Sequence, residues 1–137
     1  MVGVGTLREV ATGNLWLPNH VYAEGQELCT RYRRGAPNIL VPPVNVIVSG
    51  SGAVDSRKAV VRTPGLRSVV ATSPNGRELL ERNGVAAYPS TAVRVVGMAR
   101  GRIAPRLILK LLSDEFGVRL LLHEDGPALF GDRARLH

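Results

Sequence analysis

Three features of this sequence predict an α/β domain built on a mostly parallel central sheet. Short runs of β-branched residues alternate with segments of helical periodicity, which is the pattern of such folds. Two of these runs, Val44–Val48 and Val118–Leu122, are almost continuously apolar, as strands buried on both faces are. The chain has 137 residues, 45% of them hydrophobic and 21% charged, which fits one globular domain over residues 1–137.

The first part of the chain is predicted to hold a short strand, a possible helix and a second strand. Met1–Val4 is a short apolar strand, and a long irregular stretch with one possible helix, Ala23–Tyr32, follows it. Val44–Val48 is the next strand, and the turn Ser49–Gly52 ends it because glycine and serine favour turns. This turn closes the first half of the predicted sheet.

Residues that start and stop helices define the predicted elements in the middle of the chain. Arg67–Thr72 is predicted to be a strand, after which Ser73 opens a helix over Gly76–Arg82. Asn83 and Gly84 stop this helix. Two short strand candidates follow, Val85–Ala87 and Val93–Val96.

The clearest helix of the sequence is Ile103–Phe116. Pro105 lies in its first turn, where proline is tolerated, and Gly117 ends it. Leucines and an isoleucine recur at helical spacing, so one stripe of the helix is expected to be buried. Val118–Leu122 is then predicted to be a central strand, and a final helix starts near Ala128.

The charge of the chain bounds its partners. A net charge of +7 suits an anionic partner: a nucleic acid, a membrane surface or a phosphorylated small molecule. The arginines are scattered, apart from Arg31, Arg33 and Arg34, which cluster around Tyr32. Aromatic residues are only 4% of the chain, too few for a stacking platform on single strands, so a nucleic-acid partner is not favoured. A basic nucleic-acid binder that uses Arg31, Arg33 and Arg34 stays open as an alternative.

Compartment and metal chemistry are bounded by what the sequence lacks. No apolar run approaches the ~20 residues of a membrane span, and no secretory signal is recognisable, so a cytoplasmic protein without a membrane partner is expected. A single cysteine, Cys29, rules out an internal disulfide framework and a multi-cysteine metal site. The three histidines share no spacing typical of metal ligands, and no metal is predicted.

Three segments at predicted strand ends could bind a ligand. Gly3–Thr6 lets the backbone approach a phosphate, although it is also compatible with a plain turn. Ser49–Gly52 offers hydroxyls and N–H groups to a phosphate or ribose, and a simple β-turn is the alternative. Glu124–Gly131 joins a predicted strand to a helix, where Glu124 either contacts a ligand or only favours the helix start. No set of nucleophile, base and acid is apparent, so no catalytic residue is identified and the chemistry points to binding or to a cofactor.

Taken together, these segments resemble the dihydrofolate-reductase-like pyrimidine reductases of riboflavin biosynthesis, which also form the C-terminal domain of bifunctional deaminase-reductases. The G-x-G-T-x-R element of that family is similar to Gly3–Arg8, and its strand with a Ser-Gly turn is similar to Val44–Asp55. Its Thr-Pro segment and following strand resemble Arg62–Thr72. Its leucine-rich helix, Gly-x-Arg strand and E-G-G-P-x-L-x-G motif resemble Leu107–Leu112, Gly117–Arg119 and Glu124–Gly131.

The resemblance implies a three-layer sandwich and an NADPH-dependent oxidoreductase. Such an enzyme reduces a ribosylamino-pyrimidine phosphate to its ribitylamino form, as 5-amino-6-(5-phosphoribosylamino)uracil reductases do, and a homodimer is expected. Glu124 would then lie near the substrate. The residues implied to bind the cofactor are Gly5, Thr6, Ser51, Gly126, Pro127, Ala128, Leu129, Phe130 and Gly131.

Departures from the family pattern support an alternative. Asp125 stands where the family has the first glycine of E-G-G-P, and an acidic side chain beside a pyrophosphate is unfavourable. The family's opening strand would precede Met1 and its closing segment would follow His137, so an incomplete sheet is expected. The alternative function is a truncated, non-catalytic domain that binds a partner or self-associates.

Overall fold

Nine elements make up the described part of the chain. In this computed structural model the structure describes residues 2–3, 22–35, 43–97 and 103–122. In chain order the elements are β1 (Val2–Gly3), α1 (Gly25–Gly35), β2 (Asn45–Ser49), α2 (Ala59–Arg62), β3 (Ser68–Thr72), α3 (Pro74–Arg82), the 3₁₀ helix η1 (Val85–Ala87), β4 (Thr91–Val95) and α4 (Pro105–Phe116).

The four strands form one parallel sheet in the order β1-β2-β3-β4. Asn45 lies opposite Ser68 and Ser49 lies opposite Thr72, so β2 and β3 are paired over their whole length. Because all four strands run the same way, their carboxyl ends meet at one edge of the sheet. The predicted α/β architecture with a mostly parallel sheet is confirmed.

Helices cover both faces of this sheet, which makes three layers. Side chains alternate between the faces along a strand, so Val46 and Val48 point to one side and Ile47 to the other. Ile108 and Leu112 of α4 pack against the face of Val46 and Val48. The opposite face is covered by residues of α2, α3 and η1 and the loop before them, namely Val54, Val61, Leu80 and Val85.

The helix boundaries follow from the residues that cap them. Ser73 is the N-cap of α3 and its side chain accepts a hydrogen bond from the Gly76 N–H, so the helix begins at Pro74 rather than at Gly76 as predicted. Pro105 occupies the first turn of α4, as predicted. Gly117 ends that helix at a φ of 64°, in the left-handed region that favours glycine. The helix predicted over 23–32 is α1, shifted toward the C-terminus.

Two predicted strands are wrong. Val85–Ala87 forms a 3₁₀ helix, because Gly84 turns the chain at a φ of 75° and lets Val85 pack beside Leu80 rather than pair with a strand. Residues 118–122 are not assigned as a strand, and Leu120 is 90% exposed. An apolar run shows which side chains a sheet could bury. A strand also needs a neighbouring strand with which to exchange hydrogen bonds, and the run does not show whether one is present.

The remaining strand predictions are confirmed within two residues. β2 lies one residue later than predicted at both ends, and β3 begins one residue later. β4 begins two residues before the predicted Val93. Val96, which follows β4, still donates its N–H to the Thr72 carbonyl at 2.7 Å. Among the described segments, no helix combines the length and the apolar character needed to cross a bilayer.

Candidate functional site

The candidate site lies at the carboxyl edge of the sheet, where β2 and β3 end side by side. A tight turn follows β2: the Gly52 N–H donates to the Ser49 carbonyl at 3.2 Å, and the Val54 N–H donates to the Gly52 carbonyl at 2.8 Å. Helix α3 follows β3 after a single residue, Ser73. The turn after one strand and the first turn of the helix after the next strand therefore form one surface.

Two hydroxyl groups fasten the turn after β2 to the end of β3. Thr72 Oγ1 donates to the Ser49 carbonyl at 2.7 Å, and Ser73 Oγ donates to the Gly50 carbonyl at 2.6 Å. Ser73 Oγ also accepts the Gly76 N–H at 3.1 Å, so one hydroxyl joins the turn and the helix cap. These hydrogen bonds tie both carbonyl groups of the turn to the end of β3.

Two glycines allow the turn and the helix to touch. A Cβ on Gly52 would overlap the carbonyl oxygen of Gly76 and lie 2.6 Å from its carbonyl carbon. A Cβ on Gly76 would in turn overlap Thr72 Oγ1 and lie 2.7 Å from the Gly50 carbonyl oxygen. Gly52 also has a φ of 71°, which side chains rarely adopt. Backbone therefore packs directly on backbone at this point.

Ser51, predicted to bind the cofactor, is exposed at the tip of this turn. Its Oγ accepts the Ala53 N–H at 3.3 Å. That bond uses a lone pair of the oxygen and not the hydroxyl proton, so the proton can be donated to a ligand. Beside it, the N-terminus of α3 carries the partial positive charge of a helix dipole. The turn thus offers a neutral donor next to a weakly positive helix end.

One buried group at this edge was missed by the sequence analysis. Ser49 is 1% exposed, and its Oγ is the one buried side-chain atom in the described ranges without a hydrogen-bond partner. It shares the α3 side of the sheet with Thr72, its neighbour in register. Ser73 was predicted to open the helix, but the hydrogen bonds that Thr72 and Ser73 donate to the turn after β2 were not predicted.

Asp55, in the loop that leaves the turn, is held by Arg57. Its carboxylate accepts the Arg57 Nε–H at 3.0 Å and the backbone N–H of Arg57 at 2.9 Å. A second guanidinium nitrogen, Arg57 Nη2, lies 3.0 Å from the other carboxylate oxygen. The Arg57 side-chain and backbone hydrogen bonds lower the pKa of Asp55 from its ordinary value near 3.8 to about 2. The carboxylate is therefore charged but neutralised by a fixed partner.

We expect this pair to shape the acid limb of stability. Because the pKa of Asp55 is lower in the folded chain than in the unfolded chain, its contribution is present above about pH 3.8 and is lost as the pH falls toward 2. Asp55→Asn should therefore make the loss of stability over that range shallower. Carboxyl NMR titration should show Asp55 ionising near pH 2, and Arg57→Gln should return its pKa toward 3.8. A wild-type titration near 3.8 would contradict the pair.

Most of the predicted site residues lie outside the described residues. Among the predicted cofactor and substrate residues, the structure describes Ser51, so it does not show whether the others meet at the same edge. The predicted residues outside the described ranges are Gly5, Thr6, Glu124, Gly126, Pro127, Ala128, Leu129, Phe130 and Gly131.

Metal ligands and known relatives add no further assignment. Within the described ranges, no three His, Cys, Asp or Glu side chains are grouped so that they could hold a metal ion. Cys29 is a half-buried free thiol. No protein-family model, no curated protein and no solved structure matches the chain. The described residues form an α/β sandwich, and hydrogen bonds from Thr72 and Ser73 hold a turn at the carboxyl edge of its parallel sheet.

Proposed function

We propose that this protein is an NADPH-dependent reductase of the riboflavin-biosynthesis type, acting on a ribosylamino-pyrimidine phosphate. The observation that carries the proposal is the exposed Ser51 on a turn fixed against the N-terminus of α3, at the carboxyl edge of a parallel sheet. Ligands of open α/β sheets bind at this edge. The resemblance in motif order supports the same assignment.

The residues at the edge fit part of a nicotinamide dinucleotide. NADPH, when bound, supplies the hydride, and the protein supplies position and electrostatics. Ser51 offers a hydroxyl donor and the start of α3 offers a partial positive charge, both suited to a phosphate or ribose. Asp55, the carboxylate that follows in the same loop, is already paired with Arg57. The turn therefore presents no unpaired acid from this loop to an anionic ligand.

The other residues of the proposed site come from the resemblance. Gly5 and Thr6 would hold the cofactor at the end of β1, and the segment Gly126–Gly131 would hold its pyrophosphate. Glu124 would contact the pyrimidine substrate. Backbone freedom at glycine and N–H groups at a helix start are the features that pyrophosphate binding needs.

The first test is a titration of the purified chain with NADPH, followed by quenching of Trp16 fluorescence and by calorimetry. We expect saturable binding, with NADPH bound roughly tenfold or more tightly than NADH, because one charge-assisted hydrogen bond to the extra phosphate is worth about 1.5–3 kcal/mol. A chain shown to be folded by circular dichroism that binds neither nucleotide at millimolar concentration would overturn the proposal.

Ser51→Ala tests the turn itself. Removing one hydrogen bond of about 0.5–1.5 kcal/mol should weaken NADPH binding roughly two- to twelvefold. Ser113→Ala, which removes a hydroxyl from the exposed side of α4, should leave binding unchanged and serves as the matched control. Equal affinities of the wild type and both variants would remove Ser51 from the site, while leaving the reductase assignment to the titration above.

A second candidate is the non-catalytic domain that binds a partner or self-associates. The observation that favours it is exposed apolar surface: Leu120 is 90% exposed and Leu122 is 72% exposed. Exposed large apolar groups mark interaction surfaces when they cluster. A folded chain that self-associates and binds no nucleotide would favour this candidate over the reductase.

A further inference from the structure

The dipeptide Asn-Gly occurs twice in α3 and its C-cap, at Asn75–Gly76 and at Asn83–Gly84. This dipeptide is chemically labile, because glycine has no side chain to shield the backbone nitrogen that can attack the asparagine amide. Both asparagines are exposed. The two copies share the same reacting groups, so a difference in their reactivity must come from how the fold holds each glycine.

The first copy is enclosed in the first turn of α3. Gly76 is buried, and its N–H donates to Ser73 Oγ at 3.1 Å. A Cβ on Gly76 would lie 2.7 Å from the Gly50 carbonyl oxygen and 2.9 Å from the Gly52 nitrogen, so the turn after β2 presses directly on this residue. The Gly76 nitrogen can attack only if the helix start separates from the turn, and openings of packed segments cost more free energy than fraying at an end.

The second copy lies where α3 ends. Asn83 is the C-cap of the helix, and Gly84 follows it at a φ of 75°. Among the described residues, no atom lies within 4 Å of a Cβ placed on Gly84, so the space beside this backbone is open. The Gly84 N–H donates to the Glu81 carbonyl at 3.1 Å, which is a bond of the last helical turn. Terminal turns open at little cost in free energy, so the Gly84 nitrogen is released more often than that of Gly76.

We propose that Asn83 is a site of spontaneous deamidation in the folded protein, whereas the fold protects Asn75. The Gly84 nitrogen loses its proton to hydroxide and attacks Cγ of Asn83. A bond from this nitrogen to Cγ forms, the bond from Cγ to Nδ2 breaks, and ammonia leaves with a proton taken from water. Water then adds to either carbonyl carbon of the resulting cyclic imide and opens the ring, which leaves aspartate or isoaspartate at position 83. Neither step oxidises or reduces the chain.

Both products change the end of α3. A carboxylate at the C-cap lies at the negative end of the helix dipole, which disfavours it. Isoaspartate also adds a CH₂ group to the main chain directly before the turn at Gly84. That turn places Val85, which is 0% exposed, in the core cluster that contains Leu80, so a longer main chain displaces a buried side chain. The isoaspartate form should therefore unfold at lower urea than Asn83→Asp, which adds the charge alone.

Peptide mapping of the full chain tests both sites in one sample. The folded chain is incubated for several days at mildly alkaline pH, and a second portion is incubated unfolded in guanidinium chloride. Trypsin cuts after Arg77, so Asn75 and Asn83 fall in different peptides. Mass spectrometry measures the conversion of amide to acid in each peptide, and an isoaspartyl methyltransferase with S-adenosylmethionine labels the isoaspartate. We expect folding to slow conversion of Asn75 roughly tenfold or more relative to Asn83.

The unfolded sample removes the effect of neighbouring residues in the sequence, because each site is compared with itself. Asn83→Gln is the matched variant: glutamine would need a larger ring, so its peptide should stay unconverted while Asn75 behaves as in the wild type. Equal slowing of both sites by folding, stronger slowing of Asn83, or a folded chain in which Asn83 does not convert while the unfolded chain does would overturn the proposal. No nucleotide takes part, so these results are independent of the proposed reductase function.

Discussion

Gly52→Ala is expected to destabilise the protein by about 3 kcal/mol or more, the largest effect we expect from adding a single methyl group. Two costs add: a left-handed φ is strained for alanine, and the new Cβ overlaps the Gly76 carbonyl. The atoms that this Cβ would meet all belong to the Gly76 backbone, which cannot rotate away as a side chain could. The turn and the helix must therefore move apart, and the hydroxyl contacts of Ser73 are weakened with them.

Gly65→Ala is the matched control for this prediction. Gly65 has a φ of 80°, but no atom lies within 4 Å of a Cβ placed there. It should lose about 1 kcal/mol from backbone strain alone. The difference between the two variants in urea-induced unfolding thus isolates the contact with Gly76. Equal losses for both variants would show that the turn is not packed against α3.

Leu112→Ala should lose about 3 kcal/mol of unfolding free energy. Leu112 is 1% exposed and lies in the cluster that joins α4 to the sheet face of Val46 and Val48. Leucine-to-alanine changes in such cores cost about 2–5 kcal/mol, because they remove buried methyl groups and leave a cavity. α4 is the described helix on that face, so few other side chains can move into the space.

Leu120→Ala makes the same chemical change where the side chain is 90% exposed. Its effect should stay within about 0.5 kcal/mol. Thermal or urea unfolding of the two variants at one protein concentration compares them directly. A large loss for Leu120→Ala would mean that this leucine is covered in solution, by a second copy or by another part of the chain.

The sequence was a good guide where a local feature determines an element. Ser73, Pro105 and Gly117 define helix boundaries because each acts on its own backbone, through a cap, a fixed φ or a positive φ. The valine runs of β2 and β3 were recognisable because strands buried on both faces need apolar residues at every position. The prediction failed for residues 118–122, where the outcome depends on a neighbouring strand.

The candidate site was predictable in outline only. Ser51 could be found because a Ser-Gly turn after an apolar strand is visible in one segment. The hydrogen bonds from Thr72 and Ser73 to that turn join residues 23 positions apart, and no local sequence pattern indicates such a contact. The close approach of Gly52 and Gly76 likewise depends on how β2 and β3 are aligned. Register, which is a property of two strands together, shapes this edge.

The burial of β2 and β3 on both faces has a consequence before folding is complete. Residues 44–49 and 68–72 are uncharged segments of high strand propensity, which is the composition that forms cross-β aggregates when exposed. The residues that border them oppose this: Pro43 precedes the first segment, Arg67 precedes the second and Pro74 follows it. Proline cannot extend a hydrogen-bonded ladder and a charge repels a stacked copy of itself. We therefore expect these three residues to oppose aggregation of the newly made chain until its sheet is covered.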